Sequence, residues 1–339
     1  MMKVFSKRGY EFSFAWIFAI FAGAVIIFFA IYFAMQLVGQ LQLTRDVTQG
    51  KSLGILLTPI ETEIEEGKFA TIYLTDPTRM YFECKPPVSS NPFGSQNLWL
   101  SIKPPLGSKW EPSDSPPLTF HNKYFFPSAE PTENENVFMS EGDEKFYVLS
   151  KPLYLPFKVA DMMILYSDKK QYCFTNAPLD FKKKLQQINM TNVFFSNCNS
   201  NEQTIICFEG ASGPCNITVI DRQNKVTKNG EPEPVFYLES SSSDPYAMLY
   251  AAIFSDSETY GCQVKRLMAH TSKLLDIYYS KSERIELISG GCSQNLQSAI
   301  ISFNDIVSRA AETGDLSSVK TYLNSNPNFL SGGNICALF

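Results

Sequence analysis

The pattern of hydrophobic and polar positions divides the chain into one apolar N-terminal stretch and a much longer segment of mixed composition. Residues 12–38 contain no charged side chain. Phe14–Leu37 is long enough to span a bilayer, because about 20 helical residues cross roughly 30 Å of hydrocarbon. A cleaved signal peptide is the alternative, since Ala22-Gly23-Ala24 has the small-residue spacing that signal peptidases accept. The stretch is longer than a usual signal-peptide core, so the pattern favours an uncleaved signal anchor.

Basic residues before this stretch predict its orientation. Lys3, Lys7 and Arg8 precede it against a single Glu11, whereas charges are spread thinly after it. The positive-inside rule therefore places the N-terminus in the cytoplasm and the C-terminal part outside the cell membrane. All eight cysteines and both Asn-x-Thr sequons fall in the part placed outside, which agrees with this orientation. In the reversed orientation the cysteines would be buried free thiols.

Small residues form one stripe along the predicted transmembrane helix. At 100° per residue they fall within an arc of about 120°. The stripe consists of Ala15, Ala19, Ala22, Gly23, Ala30 and Ala34. Because small residues let helices approach closely in a bilayer, we predict that this face contacts a transmembrane partner or a second copy of the chain. Chance clustering is the alternative, because Ala and Gly are common in membrane helices.

The predicted fold class is α+β. It comprises an N-terminal transmembrane helix, a β-rich domain, and a mixed α/β segment that a C-terminal helical hairpin covers. The predicted boundaries are a cytoplasmic tail at 1–11, the transmembrane helix at 12–38, a stalk at 39–52, the β-rich domain at 53–160, the α/β domain at 161–255, the helical segment at 256–330 and a tail at 331–339.

Strands are predicted in the β-rich domain by short aromatic or β-branched runs that Pro, Gly and Asn bound. Most of the 20 prolines lie between Pro77 and Pro178, which excludes long helices there. Leu53–Ile60 is expected to be extended after the stalk. The other predicted strands are Phe69–Thr75, Met80–Cys84, Leu98–Ile102, Tyr124–Phe126, Phe146–Leu149 and Leu153–Val159.

Helical crossovers are predicted after Asp161. Leu179–Ile188 reads as a helix between strands, and three predicted strands end in similar polar triplets. These ends are Tyr166-Ser167-Asp168, Phe195-Ser196-Asn197 and Phe254-Ser255-Asp256. If the strands are parallel neighbours, their polar ends meet at the sheet edge where ligands usually bind. Ordinary turn and cap chemistry is the alternative interpretation.

Two long helices are predicted at the C-terminal end. Ser255-Asp256-Ser257-Glu258 fits a capping box, so a helix is expected to start at about Asp256. Apolar residues recur at three- and four-residue spacing from Tyr260 to Tyr278, and again from Leu296 to Ala310 after Gly290-Gly291. The pattern predicts a hairpin whose apolar faces pack on the sheet, with a third, shorter helix over Leu316–Leu323.

The cysteines are even in number and lack a C-x-x-C pair, which favours disulfides over zinc or thioredoxin-like chemistry. The disulfide candidates are Cys84, Cys173, Cys198, Cys207, Cys215, Cys262, Cys292 and Cys336. Eight cysteines allow 105 connectivities. Cys262 and Cys292 begin successive antiparallel helices, so about 37 Å would separate them and they are not expected to pair. Cys292 with Cys336, and one local closure among Cys198, Cys207 and Cys215, are more plausible.

Candidate chemistry beyond the cysteines is sparse. Asn189 and Asn216 head the two sequons and are candidate glycosylation sites. The net charge of −5 argues against a nucleic-acid partner. His121 and His270 stand in no metal-spaced cluster, and Gly50-Lys51-Ser52 lacks the first glycine and preceding strand of a phosphate loop. We therefore name no catalytic residue, metal site or cofactor.

Three segments resemble those of uncharacterised single-pass membrane proteins from small-genome archaea. They are Phe14–Ile20, Phe157–Asp161 and Gly261–Arg266. The resemblance implies an archaeal cell-envelope protein and carries over no functional residue, because that family has no established activity. Lys7-Arg8-Gly9 and Glu11 also resemble the processing site of type IV pilin-like precursors, although the glutamate follows Gly9 by two residues instead of about five.

Three functional hypotheses follow from this sequence. The first is a non-enzymatic surface or envelope protein that presents a disulfide-braced domain for adhesion or assembly. The second is a pilin-like subunit. The third is a membrane-anchored enzyme outside the cell, which requires converging acids such as Asp168 and Asp256.

Overall fold

The structure is a computed structural model that describes residues 14–56, 69–102, 116–128, 130–132, 135–188, 190–199, 202–211, 213–239, 244–289 and 294–326. It is a mixed α+β fold with an apolar N-terminal helix, two sheets and C-terminal helices, so the predicted fold class is confirmed at this level.

Helix α1 (Phe14–Leu56) is one continuous helix of 43 residues. Its segment Phe14–Leu37 has a mean hydropathy of 2.7, and its large apolar side chains are exposed rather than packed in a core. By length and composition it can cross a membrane, although a signal sequence passes the same test. The predicted extended conformation from Leu53 onward is wrong up to Leu56, because a helix that already exists extends through a leucine-rich run at little cost.

The first sheet contains, among the described residues, seven strands in the order β3-β2-β1-β6-β7-β4, with β5 paired to β6. Its strands pair antiparallel except for β4 and β7, which are parallel. The strands are β1 (Phe69–Lys85), β2 (Ser95–Ile102), β3 (Leu118–Phe120), β4 (Tyr124–Pro127), β5 (Glu130–Thr132), β6 (Glu135–Tyr154) and β7 (Lys158–Ser167). Strand β7 runs across the predicted boundary between residues 160 and 161, so this sheet ends at Ser167 instead.

One side chain of β2, the strand next to edge strand β3, bonds to β4 at the opposite edge of the first sheet. Gln96 on β2 donates its Nε2 hydrogen to the Phe125 carbonyl at 3.3 Å and accepts the Phe125 N–H at 3.1 Å. These bonds satisfy backbone groups of β4 that a neighbouring strand would otherwise satisfy. The Phe125 ring lies 5.2 Å from the Phe120 ring and 6.3 Å from the Phe82 ring. The sheet therefore curls around a small apolar core of its own.

The second sheet has the order β13-β12-β11-β10-β8-β9 among the described residues. Strands β9, β8, β10 and β11 are mutually parallel, and β12 and β13 extend the sheet antiparallel. The predicted crossover helix is present as α2 (Leu179–Gln187) between β8 and β9. The strands are β8 (Gln171–Thr175), β9 (Val193–Phe194), β10 (Gln203–Phe208), β11 (Ile217–Ile220), β12 (Lys225–Lys228) and β13 (Val235–Phe236).

Helix α3 (Ala247–Phe254) is buried along its entire length in the main core. Its last residue stacks against Tyr166 of the first sheet and meets Tyr172 of the second edge-on, with ring centroids 5.1 Å and 4.8 Å apart. The prediction that Phe254 ends a strand is wrong. A helix buried on all sides has no polar face and therefore shows no helical period in its sequence.

The predicted helical hairpin is confirmed by α4 (Ser257–Ser289) and α5 (Gln294–Thr313), which pack against each other, followed by α6 (Ser317–Ser325). The turn at Gly290-Gly291 lies outside the described residues. The first turn of α4 is capped by Asp256, whose Oδ1 accepts the Thr259 N–H at 2.7 Å. The predicted capping box is therefore wrong in its N-cap residue, because the Ser255 hydroxyl donates to the Ala251 carbonyl instead.

Three disulfides cross-link the described part of the domain. Cys84–Cys262 joins β1 to α4 across 178 residues of sequence. Cys173–Cys198 joins β8 to the loop after β9, and Cys207–Cys215 closes a local loop between β10 and β11. One cross-link therefore ties the first sheet to α4, and the other two lie within the region of the second sheet.

Candidate functional site

A cavity of about 710 Å³ opens at one edge of the second sheet. It lies at the amino ends of the parallel strands, where Lys170 and Tyr172 flank the start of β8, Thr204 is the second residue of β10 and Asn216 precedes β11. A ligand site at the carboxyl ends was one of the two interpretations of the polar strand ends, and the cavity lies at the opposite edge. The loop between β12 and β13, the end of α3 and the start of α4 close its other sides.

Apolar and aromatic side chains form much of the cavity wall. They come from the second sheet, the end of α3 and the first turns of α4, and include Tyr172, Val235, Ile253, Phe254, Tyr260 and Val264. Tyr260 is buried, and its hydroxyl donates to the Phe236 carbonyl at 2.8 Å. Burial raises the pKa of the Tyr260 hydroxyl far above its usual value, so it stays protonated. The wall therefore offers apolar contact and no negative charge from tyrosine.

Two carboxylates at the cavity hold the N-terminus of α4. Glu231 Oε2 accepts the Ser257 N–H at 3.1 Å and also accepts the Ser257 hydroxyl. Asp256 accepts the Thr259 N–H through Oδ1. Negative charge at a helix N-terminus is favourable, because it meets unpaired N–H groups and the positive end of the helix dipole. Both acids therefore hold the helix, although Asp256 Oδ2 is buried without a hydrogen-bond partner among the described residues.

Lys228, at the end of β12, is the most perturbed charged group of the cavity. Its Nζ donates to the Ser255 carbonyl at the C-terminus of α3, where a cation is favourable. Burial lowers the pKa of Lys228 to about 8, with a smaller contribution from the neighbouring Lys170. Glu231 and Asp256 act in the opposite direction and only partly offset the burial. A lowered lysine pKa in a cavity is typical of functional sites.

Lys170 and Lys265 complete the positive side of the cavity. Both are half-buried, as is Lys228. Lys170 lies over the Tyr172 ring, with Nζ 5.9 Å from the ring centroid. Within the described ranges, none of the three lysines has a carboxylate within ion-pair distance. The cavity thus combines engaged acids with lysines that lack an acidic partner.

A second polar cluster lies where α4 crosses the seam of the first sheet, which is the place where Gln96 of β2 bonds to Phe125 of β4. Gln263 Nε2 donates to the Phe125 carbonyl at 3.0 Å and to Gln96 Oε1 at 2.5 Å. The fully buried Arg266 donates to Gln263 and to four backbone carbonyls, those of Phe93, Phe120, His121 and Lys123. Burial lowers the pKa of Arg266 to about 10, with a smaller opposing effect from Tyr124. Because every contact is internal, this cluster holds the fold together and leaves no group facing a ligand.

The structure separates the two acids that an enzyme hypothesis required. Asp168 pairs with Lys145 at 3.0 Å and does not line the cavity. Asp256 lines the cavity and caps α4. The triplets that contain them end a strand of the first sheet and a helix, so they are not parallel neighbours. The expected convergence of strand-end carboxylates is therefore wrong.

The remaining predicted site residues are dispersed. Asn216 is exposed at the cavity rim, and its Oδ1 accepts the Ile205 N–H at 2.8 Å. Asn189, Cys292 and Cys336 lie outside the described residues. The small-residue stripe lies in the membrane-length segment of α1, and its contact role stays a prediction. The stripe is Ala15, Ala19, Ala22, Gly23, Ala30 and Ala34.

The two histidines lie apart from the cavity lining, with His121 exposed and His270 half-buried. His121 Nδ1 lies 3.2 Å from the Gly94 carbonyl, and His270 lies between the rings of Phe93 and Tyr124. Burial lowers the pKa of His270. In the part of the chain that the structure describes, no group of three His, Cys, Asp or Glu side chains could hold a metal ion.

Sequence reasoning missed the lysine-lined cavity. Lys170, Lys228 and Lys265 come from three separate elements, and none stands in a local motif. The only signal in the sequence is the position of Lys228, two residues after Val226 on strand β12. Charged residues are common near strand ends, so this position does not indicate a binding site.

Comparisons with models of protein families, with curated proteins and with solved structures return no match for this chain. The function must therefore be argued from the geometry of the chain itself.

Proposed function

We propose that this chain is a single-pass membrane-anchored protein of the cell surface or envelope, whose disulfide-braced domain serves adhesion or assembly outside the cell. The observation that carries the proposal is an exposed apolar helix, long enough to cross a bilayer, joined to a domain with three disulfides. Disulfides persist in oxidising compartments, and the basic N-terminal flank favours a cytoplasmic N-terminus. Together these features support an outward-facing domain.

The disulfide and polar contacts that hold α4 on the first sheet suit a domain that functions outside the cell. Cys84–Cys262 ties α4 to β1, and the adjacent buried cluster of Gln96, Gln263 and Arg266 ties the same helix to the sheet seam. A disulfide across a long loop stabilises mainly by restricting the unfolded chain. Asn189 and Asn216 remain the proposed glycosylation sites on this domain.

Protease treatment of intact cells tests the topology. We expect an added protease to digest the domain after α1 in intact cells while a cytoplasmic marker protein stays whole. Lysed cells provide the control for protease susceptibility, because the folded domain itself resists cleavage to some degree. A domain that survives in intact cells and is cleaved only after lysis would contradict the proposed orientation.

A pilin-like subunit is a second candidate, favoured by the shape of α1. The helix continues without a break from the apolar segment to Leu56, and its backbone comes close to strands β2 and β3 of the first sheet. N-terminal sequencing of the mature protein distinguishes this candidate. A mature chain that starts at Tyr10 supports processing after Gly9, whereas an intact Met1 excludes it.

A further inference from the structure

The charged groups around the cavity of the second sheet are unequally engaged. Glu231 and Asp256 hold the N-terminus of α4 through backbone and hydroxyl hydrogen bonds. The two other acids of the lining, Glu233 and Glu258, are exposed at the rim and keep their hydration. The half-buried Lys170, Lys228 and Lys265, by contrast, have no ion-pair partner among the described residues. Three ammonium groups of the lining are therefore not paired with a described carboxylate, and among the oxygens of the two inner acids Asp256 Oδ2 is buried without a hydrogen-bond partner.

Lys228 has donors left for a ligand. An ammonium group carries three N–H donors, and the described contacts of Lys228 use one of them, to the Ser255 carbonyl. A structural role at the end of α3 therefore leaves the other two donors available. Lys170 lies close enough to Lys228 to lower the pKa of that side chain, so one anion could relieve the repulsion between the two ammonium groups.

The size and the apolar wall of the cavity indicate the size and the apolar character of the rest of the ligand. Its volume of about 710 Å³ falls within the range of small-molecule sites, roughly 300–1,000 Å³. Tyr172, Phe254 and Val264 supply an apolar wall beside the lysines. A fully hydrated ion would gain nothing from this wall, whereas a ring or a short alkyl chain would bury apolar surface against it.

We propose that this cavity binds a small amphipathic anion, with an apolar ring or chain against the aromatic wall and a single carboxylate at Lys170, Lys228 and Lys265. The proposal rests on the cavity and is independent of the membrane topology. A cationic ligand is disfavoured, because it would face three lysines, and Asp256 Oδ2 is the only oxygen of the two inner acids that is buried without a hydrogen-bond partner among the described residues.

Lysine acylation footprinting of the full chain in lipid nanodiscs tests the proposal. The probes are 3-phenylpropionate and octanoate, and 3-phenylpropyltrimethylammonium is the charge-reversed control. Acetic anhydride labels accessible amines, and mass spectrometry reads each lysine separately. We expect either carboxylate, at millimolar concentration, to slow acylation of Lys170, Lys228 and Lys265 in a saturable manner. Lys183 on α2, which is exposed and remote from the lining, should label at an unchanged rate.

Matched variants test the role of the lysines. In Lys228→Gln the affinity for the carboxylate, read from the protection of Lys170, should fall about tenfold, since a charge-assisted hydrogen bond is lost. Lys183→Gln should leave it unchanged. If Lys228→Gln does not fold, Lys170→Gln, read from the protection of Lys228, replaces it. The proposal is overturned if neither carboxylate protects the three lysines, if the quaternary ammonium protects them equally, or if the folded variants bind as well as the unaltered chain.

Discussion

Arg266 illustrates how far a single polar residue can determine this fold. It is fully buried without a carboxylate partner among the described residues, and its guanidinium instead donates to four backbone carbonyls and to Gln263. A guanidinium suits this arrangement, because its five N–H donors are fixed in one plane. The sequence contains no sign of this role, since the residue flanks the apolar stripe of α4 and looks like an ordinary solvent-facing charge.

Replacing Arg266 tests the importance of these bonds. We expect Arg266→Ala to lower the free energy of unfolding by about 3–5 kcal/mol, because it leaves buried carbonyls without donors. Arg266→Lys should recover only part of that loss, since an ammonium cannot reach carbonyls spread around a planar fork. Guanidinium titration of the full chain in nanodiscs, followed by tryptophan fluorescence, provides the measurement.

The control for Arg266 is Lys273→Ala on the same helix. The Lys273 side chain is half-exposed and pairs with Asp276 at 3.1 Å, so its loss should cost less than about 1 kcal/mol. Equal effects of Arg266→Ala and Lys273→Ala would contradict the role assigned to Arg266.

Lys228 makes stability depend on pH in a defined direction. Its pKa is lowered from 10.5 to about 8 in the folded chain, so between these values the unfolded chain binds more protons. Stability from this group therefore rises as pH increases from about 8. Lys170, Glu231 and Asp256 are the charged groups that act on Lys228, and the burial of its side chain outweighs the attraction of the two carboxylates.

A comparison with Lys228→Met isolates this group. The difference in unfolding free energy, unaltered chain minus variant, should increase between pH 7.5 and 9.5, by at most about 1.4 kcal/mol per pH unit. Denaturant titrations at several pH values measure it. A difference that does not change with pH would show that Lys228 has an ordinary pKa in the folded chain.

At the scale of elements, the periodicity of apolar residues predicted the helices that bury only one face. Helices α4 and α5 each bury one face, so their apolar residues recur at helical spacing and the hairpin was predictable. Helix α3 buries every face, so its sequence has no helical period, and it predicts a strand that ends at Phe254 instead. The crossover helix α2 was predictable because Phe181 and Leu185 are its buried residues, four positions apart.

The sequence did not allow us to predict which elements contact each other. The seam of the first sheet depends on Gln96 from β2, Phe125 from β4 and Gln263 from α4, which are far apart in the chain. The disulfide from Cys84 to Cys262 depends on the same crossing, so the spacing of cysteines could not show it. The local closure from Cys207 to Cys215 was within reach of sequence spacing.

The disulfides should differ in their contribution to stability according to loop length. Replacing both Cys84 and Cys262 by Ser should cost about 4–5 kcal/mol, and replacing Cys207 and Cys215 should cost about 2–3 kcal/mol, because closing a longer loop restricts the unfolded chain more. The sequence separations are 178 and 8 residues. Unfolding free energies of the two double variants make the comparison, and a larger loss for the short loop would contradict this account.

At the scale of the whole molecule, the membrane-length apolar helix was predictable and the cavity was not. An apolar run such as Phe14–Leu37 is a local property of sequence, so composition alone identifies it. The cavity is bounded by strands, loops and helices from Lys170 to Gly314, and no local window contains it. The crossover helix α2 was predictable, whereas most of the parallel strands were not, and the cavity opens at the amino ends of those strands, where the α3–α4 junction closes over that edge.

Cysteine labelling in intact cells tests the central claim, that α1 anchors an oxidised domain on the outer side of the membrane. Cells carrying the full chain are treated with a membrane-impermeant maleimide, with or without a charged phosphine reductant that does not cross the membrane. We predict that Cys84, Cys262, Cys173, Cys198, Cys207 and Cys215 stay unlabelled without the reductant and gain label with it. Cysteines that react only after lysis, and without any reductant, would contradict the account.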